Sequence, residues 1–275
     1  MKNQDYCQIK AAPSGSNFYY STLFYPESTR QSLNTIHAFS VEIGEIIREC
    51  SDPGIARIKL NWWHEEIQRV FKDQARHPVG KALTNLKNSH SINEDELHSL
   101  VIFNEKKIDN VRFDTYEQLE SYLKNGPGLV WQLSAEICNY TVNESATTAN
   151  TTGCLVGLFD IIQNIYRDFS NGYFFLPQTE LEAANLTLAD FSIDKQEHLQ
   201  DFFASQFKNL IINLENNYSE FPVADRKSLL CCLIMNKLIH NTCKEIEKDN
   251  YQLGQHFISL TPVRKLWIAW RTNRG

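Results

Sequence analysis

The chain has 275 residues, 42% of them hydrophobic and 22% charged, with a formal net charge of −6. This is the profile of an ordinary globular fold, and its acidic balance argues against a general nucleic-acid binder. The longest apolar run, Leu229 to Met235, falls far short of membrane-spanning length and belongs in a core.

Eleven glycines and eight prolines are few for this length and favour long helices over many turns. The seven cysteines are scattered, odd in number and without a CxxC pair, which suits a reducing compartment. The opening MKNQDYCQIKAAPSG carries neither a secretory apolar stretch nor an Arg-rich transit pattern, so a cytoplasmic, mostly helical protein is expected.

In chain order, a polar opening leads to FYYSTLFYP (Phe18 to Pro26), aromatic and compact. The spacing of Leu33, Ile36, His37, Phe39 and Ile43 predicts a helix capped by Ser28. It ends near Cys50, before Ser51-Asp52-Pro53-Gly54. A second helix, Ile55 to Phe71, carries Trp62-Trp63-His64-Glu65-Glu66. Position 68 is Gln, so His64-Glu65 does not complete a zinc motif. The segment is read as two core Trp faces with a solvated charged edge. Helices follow near Val79 to Leu86 and from Ser91 to Ile108. Another begins at Asp114 to Tyr122, is interrupted at Asn125-Gly126-Pro127-Gly128, and resumes over Leu129 to Tyr140. Thr141 to Thr152 is expected to hold a turn.

Gly153 to Asp168, GCLVGLFDIIQNIYRD, is then a helix apolar on nearly every side. Its exceptions, Asp160, Asn164 and Asp168, are spaced i, i+4, i+8 and share one face. A polar stripe on a buried helix is costly unless every group has a partner. Beyond it, YFFLP (Tyr173 to Pro177) is a packed connector, and Gln178 to Asp194 is short helices and turns. Long amphipathic helices are predicted over Lys195 to Tyr218 and Val223 to Tyr251, and a last one over Pro262 to Arg271. With no repeat and no linker, residues 1–275 form one all-α domain of about ten helices.

Several of these segments, in this order, resemble the squalene/phytoene synthase family. FYYSTLFYPESTR with IHAFS, IKLNWWHEEIQRVF, IDNVRFDTYEQLESYL, GLFDIIQNIYRDFSNGYFFLP and LTPVRKLWIAW are similar to its successive motifs, and together they cover nearly the whole chain. The resemblance implies an isoprenoid-synthase helical bundle around a central cavity. It also implies a prenyltransferase that joins two prenyl diphosphates (farnesyl or geranylgeranyl) head to head in isoprenoid biosynthesis. Two Asp-rich motifs on facing helices would hold Mg²⁺, which needs hard oxygen ligands and promotes departure of diphosphate.

The chain departs from that pattern where the chemistry would lie. The first Asp-rich motif falls on Gly44, Glu45 and Arg48, and a cation at a ligand position repels a metal. In the second, Asn164, Arg167 and Asp168 match, but the second aspartate falls on Gly172. A family serine falls on Asn17 and a family tyrosine on Asn125. These losses are similar to those of the respiratory complex I assembly factor branch of the family, and AFSVEIGEI (Ala38 to Ile46) is similar to that branch's helix.

Two functional readings follow. The leading one is a member with degenerate metal sites that binds a prenyl or lipid-like ligand, or a respiratory-assembly client protein, with at most peripheral membrane contact. The other is an active Mg²⁺-dependent prenyltransferase with Glu42, Glu45, Asp160 and Asp168 as substitute ligands. Arg30 and Arg167 either clamp a diphosphate by paired donors or pair with the carboxylate stripe. Asp160, Asn164 and Asp168 are either a ligand-facing stripe or an internally satisfied polar network. Glu42, Glu45 and Glu49 are either metal ligands or a solvated, Arg-paired face. His37 is expected as a core histidine, and the aromatic opening as a prenyl pocket or simple packing.

Overall fold

The apolar spacing of the sequence becomes a set of long helices in the computed structural model, which describes residues 2–50, 52–191, 199–254 and 256–275. Among these residues there is no strand, and the fold is an all-α helical bundle. The first part of the chain forms α1 (Asn3–Ala11), α2 (Asn17–Thr22), α3 (Glu27–Glu49), α4 (Pro53–Phe71), α5 (Pro78–Ser89) and α6 (Glu94–Ile108). The middle forms α7 (Tyr116–Leu123), α8 (Leu129–Ile137), α9 (Glu144–Gln163) and α10 (Ile165–Ser170). The last part forms α11 (Gln178–Ala183), α12 (Gln200–Glu220), α13 (Leu230–Lys248) and α14 (Pro262–Arg274). No helix among the described residues is long and apolar enough to cross a membrane.

Local chemistry explains most boundaries. Asp52 accepts from the Ile55 amide ahead of α4, and Asn93 with Glu96 forms a capping box on α6. Proline opens α4, α5 and α14, where its missing N–H costs nothing. The helix expected to be capped by Ser28 starts two residues earlier, at Glu27, with Pro26 in the cap position. Of the expected stop after Cys50, Ser51 lies outside the described residues, as do positions 195–198 of the expected Lys195 helix.

Four expectations are corrected. The polar opening is a helix, α1, whose Cys7 and Ala11 are buried against α3. Asn125-Gly126-Pro127-Gly128 does not interrupt the helix: Lys124–Gly128 is a π-helical turn that joins α7 to α8. Such a turn inserts one residue without breaking the rod. The turn expected within Thr141 to Thr152 is present but confined to residues 141–143, so the helix expected from Gly153 starts already at Glu144. At the other end, Val223–Asp225 forms a short 3₁₀ turn, and α13 starts only at Leu230.

Close approaches set the middle of the bundle. A Cβ on Gly153 would lie 2.2 Å from the Pro127 carbonyl oxygen, and one on Gly157 would lie 2.6 Å from the Pro127 ring. A Cβ on Gly126 would lie 2.3 Å from the Phe103 ring. Glycine at these positions lets α9, the π turn and α6 touch with nothing between them.

Buried polar groups then pin the ends. The Asp225 carboxylate, fully buried, accepts from the Thr141 and Val142 amides and from the Thr141 and Ser145 hydroxyls at 2.6–2.9 Å. A negative charge at the head of α9 also complements that helix's dipole. Burial alone would raise the Asp225 pKa, but these hydrogen bonds outweigh it and hold the carboxyl down at about 2. Glu66 is likewise a buried anion. It accepts from the Arg76 and His77 amides and from Arg69 Nε, so the charged edge expected beside the tryptophans is partly interior. Trp63 is core, whereas Trp62 stands at the surface under the Arg69 guanidinium.

Asp225→Ala leaves four donors without an acceptor and should cost about 3 kcal/mol in urea unfolding at neutral pH. Because the folded pKa lies below the ordinary 3.8, the carboxylate's contribution is complete above that value and lost as pH falls through about 2. The gap between wild type and variant should therefore narrow on acidification over that window. Gly153→Ala should cost about 2–3 kcal/mol, since its Cβ meets backbone that cannot move aside.

Candidate functional site

Helix α3 carries two sets of polar residues on different faces. By helical spacing, Arg30, Asn34, His37, Gly44 and Arg48 share one face, and Glu42, Glu45 and Glu49 share the next. The first face turns toward α6 and α8. A Cβ on Gly44 would lie 3.9 Å from Asn104 Oδ1, and His37 donates from Nε2 to Ser134 Oγ at 2.9 Å, that hydroxyl being spent on the Val130 carbonyl. Phe18 stacks on the His37 ring at 3.8 Å and Trp131 meets both edge-on. Burial drives the His37 pKa down to about 3, so the ring is neutral and structural. Asn34 is buried with its Oδ1 lacking a hydrogen-bond partner. Arg30, on the same face, makes no ion pair among the described residues.

The second face turns toward α1 and α4. Lys10 pairs with both Glu42, at 3.2 Å, and Glu45, and Tyr6 donates to Glu42 at 2.5 Å. Burial and the Glu42 hydrogen bond push Tyr6 up to about 12. Burial pulls Lys10 down, but the two carboxylates outweigh it and its pKa is raised. These acids line a surface groove of about 310 Å³ with Glu49, Lys59, Trp62 and His77. Arg48 reaches Glu45 at 3.8 Å from the edge between the two faces.

Across the bundle, the helix carrying the stripe bends at Asn164. Its side chain donates back to the Asp160 carbonyl and to Asp160 Oδ1 at 2.9 and 2.8 Å, which ends α9 and starts α10. The stripe is unevenly covered: Asp160 is exposed, Asn164 buried and Asp168 half-buried. Arg167 Nη2 lies 3.0 Å from Asp168 Oδ1. Burial raises the Asp168 pKa against the opposing pull of Arg167. Gly172 ends this segment at φ +84°, a left-handed turn that disfavours the aspartate implied there by family resemblance. Asn125, exposed, donates to the Ser121 carbonyl of its own turn, and Asn17 Oδ1 is buried without a partner.

The residue that joins these parts is one the sequence reading did not single out. Lys107, in the last turn of α6, holds its ammonium 4.8 Å from the centre of the Phe103 ring and 6.0 Å from that of Phe175. Loss of water lowers its pKa. Asp160 and Asp168 act to raise it, and Arg48 and Arg167 to lower it further. The centre is thus three cations, Arg48, Lys107 and Arg167, against two carboxylates. The only sequence signal for Lys107 was a basic residue at a helix C-terminus, which is common on dipole grounds alone.

Magnesium does not fit this donor set. Glu42 and Glu45 are engaged by Lys10 in the outer groove, while Asp168 pairs with Arg167 and Asp160 accepts from Asn164. Among the described residues, no group of three or more His, Cys, Asp or Glu side chains is arranged to hold a metal ion. What the centre does offer is guanidinium and ammonium donors, the groups that recognise phosphate oxygens.

Residues 11–267 match the sequence profile described as squalene/phytoene synthase. The chain is 21% identical over 174 residues to the mouse (Mus musculus) NADH dehydrogenase (ubiquinone) complex I, assembly factor 6, covering 63% of this chain and 52% of that protein. It thus spans about half the length of that relative. It is also 21% identical over 257 residues to the phytoene synthase of Mycobacterium tuberculosis, covering 92% of this chain and 84% of the other. A dehydrosqualene synthase solved in complex with ligand superposes with a TM-score of 0.83 at 16% identity, covering 99% of this chain and 95% of that one. Squalene synthase HpnC from Alicyclobacillus acidocaldarius gives a TM-score of 0.73 at 20% identity, covering 90% and 94%.

If Lys107 supplies the central positive charge, Lys107→Met should raise the Asp168 pKa further, because one cation that favours its ionised form is gone. A carboxyl ¹³C NMR titration of both proteins reads this directly. An unchanged Asp168 titration would place the ammonium outside the centre.

Proposed function

The chain belongs to the squalene/phytoene synthase family, and on that premise we propose that it is a non-catalytic, binding member that holds an anionic isoprenoid or lipid-like ligand without Mg²⁺. The observation that carries this reading is the exchange of metal-binding carboxylates for fixed cations. Arg48 stands where the family resemblance places an aspartate, and Lys107 lies within the electrostatic reach of the two remaining acids, Asp160 and Asp168. A diphosphate or phosphate head would find there the positive charge that metal ions bring to an acidic site. Arg48, Lys107 and Arg167 are its proposed donors. Asn164 and Asp160 act in positioning, with the Asn164 amide tied to Asp160 Oδ1.

Such a centre holds a leaving group but does little to help it depart. Departure is promoted by divalent ions that gather several phosphate oxygens at once. Fixed monovalent cations provide affinity and orientation in ground state and transition state alike, which is binding without acceleration. The likeness to complex I assembly factor 6 adds a respiratory-assembly client protein as the setting in which binding is used.

A second reading is favoured by the match to phytoene synthase over 92% of the chain. In it the protein is an active head-to-head prenyltransferase in which Asp160 and Asp168, helped by Glu42 and Glu45 released from Lys10, recruit Mg²⁺.

The readings part cleanly in calorimetry with farnesyl and geranylgeranyl diphosphate. Under the binding reading, affinity should be the same with Mg²⁺ as with EDTA. It should fall tenfold or more in Arg48→Glu and Lys107→Glu, the loss of about one charged hydrogen bond. No diphosphate should be released. Mg²⁺-dependent release that disappears in Asp168→Asn would establish the enzyme instead.

A further inference from the structure

Helix α14 is apolar on two opposite faces. The inner face, Lys265, Ile268 and Ala269, is buried against α13 and α2, where Ile268 and Ala269 join Tyr20, Leu230, Ile234 and Leu238 in a small second core. Lys265 crosses that contact to donate to the Gly15 carbonyl at 2.9 Å. The outer face should then be polar, as on any surface helix. Instead Val263, Leu266, Trp267 and Trp270 are 78, 45, 52 and 42% exposed. Their spacing, i, i+3, i+4, i+7, lines them up along one side of the rod. Phe257, 70% exposed in the loop before α14, lies beside the foot of that helix, with Arg264.

The charges around this stripe are all of one sign on the helix itself. In a chain of net charge −6, α14 holds Arg264, Lys265, Arg271 and Arg274 and no carboxylate. Arg264 is spent on Glu245 at 2.8 Å, and Lys265 on Gly15. Arg271 and Arg274 are not so engaged. Their guanidinium groups lie over the Trp267 and Trp270 rings, at 5.2 and 4.2 Å from the ring centres, with no carboxylate in ion-pair range among the described residues. Each exposed indole therefore carries a cation at its flank.

We propose that the outer face of α14 docks on an anionic phospholipid surface, Trp267, Trp270 and Leu266 entering the interfacial layer and Arg271 and Arg274 meeting lipid phosphates. The chemistry is that of an interfacial helix: indoles sit at headgroup depth, and arginine keeps its charge among the phosphates while its stem covers apolar surface. Charge complementarity selects this occupant. The protein as a whole, at net charge −6, is repelled by an anionic surface, so attachment has to go through a face that carries only positive charge beside its apolar residues, as the outer face of α14 does. The proposal is independent of what the Lys107 centre holds, and it survives if that centre is catalytic.

Co-sedimentation with vesicles of phosphatidylcholine and phosphatidylglycerol at about 7:3, against pure phosphatidylcholine, tests it. Wild type should pellet with the mixed vesicles, pellet far less with the neutral ones, and be released by about 0.5 M NaCl. Arg271→Glu with Arg274→Glu should weaken partitioning roughly tenfold or more, as expected for reversing two interfacial charges. Trp267→Ser with Trp270→Ser should do the same. Both pairs are exposed or half-exposed, and circular dichroism checks that the variants are folded. Tryptophan quenching by brominated lipid should be seen in wild type and lost in the Trp267→Ser, Trp270→Ser protein. Wild type left in the supernatant, or variants that pellet equally well, would overturn the proposal. So would light scattering that shows a dimer dispersed by the tryptophan changes, since the face would then belong to a second copy.

Discussion

The contact between Pro127 and α9 governs the rest of the molecule. With glycine at 153 and 157, the π turn lies directly on the helix, and with glycine at 126 the same turn takes the Phe103 ring on its other side. Phe103 sits one turn before Lys107 on α6 and carries the Lys107 ammonium over its ring. A backbone crossing between small residues thereby fixes the position of the centre's main charge. The π turn is the device that makes it possible, because it keeps α7 and α8 continuous while displacing Pro127 toward its partner.

Around that crossing, the distribution of charge follows from which groups can be satisfied where. The carboxylates of α3 face α1, and α1 answers them with Lys10 and Tyr6. The inward face of the same helix keeps arginine and glycine where acids would need a metal. Asp160 and Asp168 remain, but Asn164 and Arg167 already give them partners.

The chain belongs to the squalene/phytoene synthase family and is similar in sequence both to a phytoene synthase and to an assembly factor of respiratory complex I. A scaffold of this kind fixes the helices, and function has to be argued from the side chains that project from them.

Much of this was legible in the sequence. Helical periodicity marked the long elements, the motif order carried the family, and the stripe of Asp160, Asn164 and Asp168 stood out because polar residues at i, i+4, i+8 in an apolar helix are conspicuous. Glycine and arginine at 44 and 48 were visible as departures only against the motif that the family resemblance implies. Tertiary structure alone decided what these groups meet. Helix α1 has too weak an apolar pattern to announce itself, yet it neutralises Glu42 and Glu45. Glu66 looks like any surface glutamate until the α4–α5 loop folds its amides over it, and Trp62 and Trp63, adjacent in sequence, end on opposite sides of the boundary between core and solvent. Lys107 lies 53 residues before Asp160 and 61 before Asp168. Charge acts through space, so no spacing rule along the chain could have brought its ammonium within their electrostatic reach. Local periodicity is written in the sequence, whereas the partner of a charge is set by the packing of distant helices.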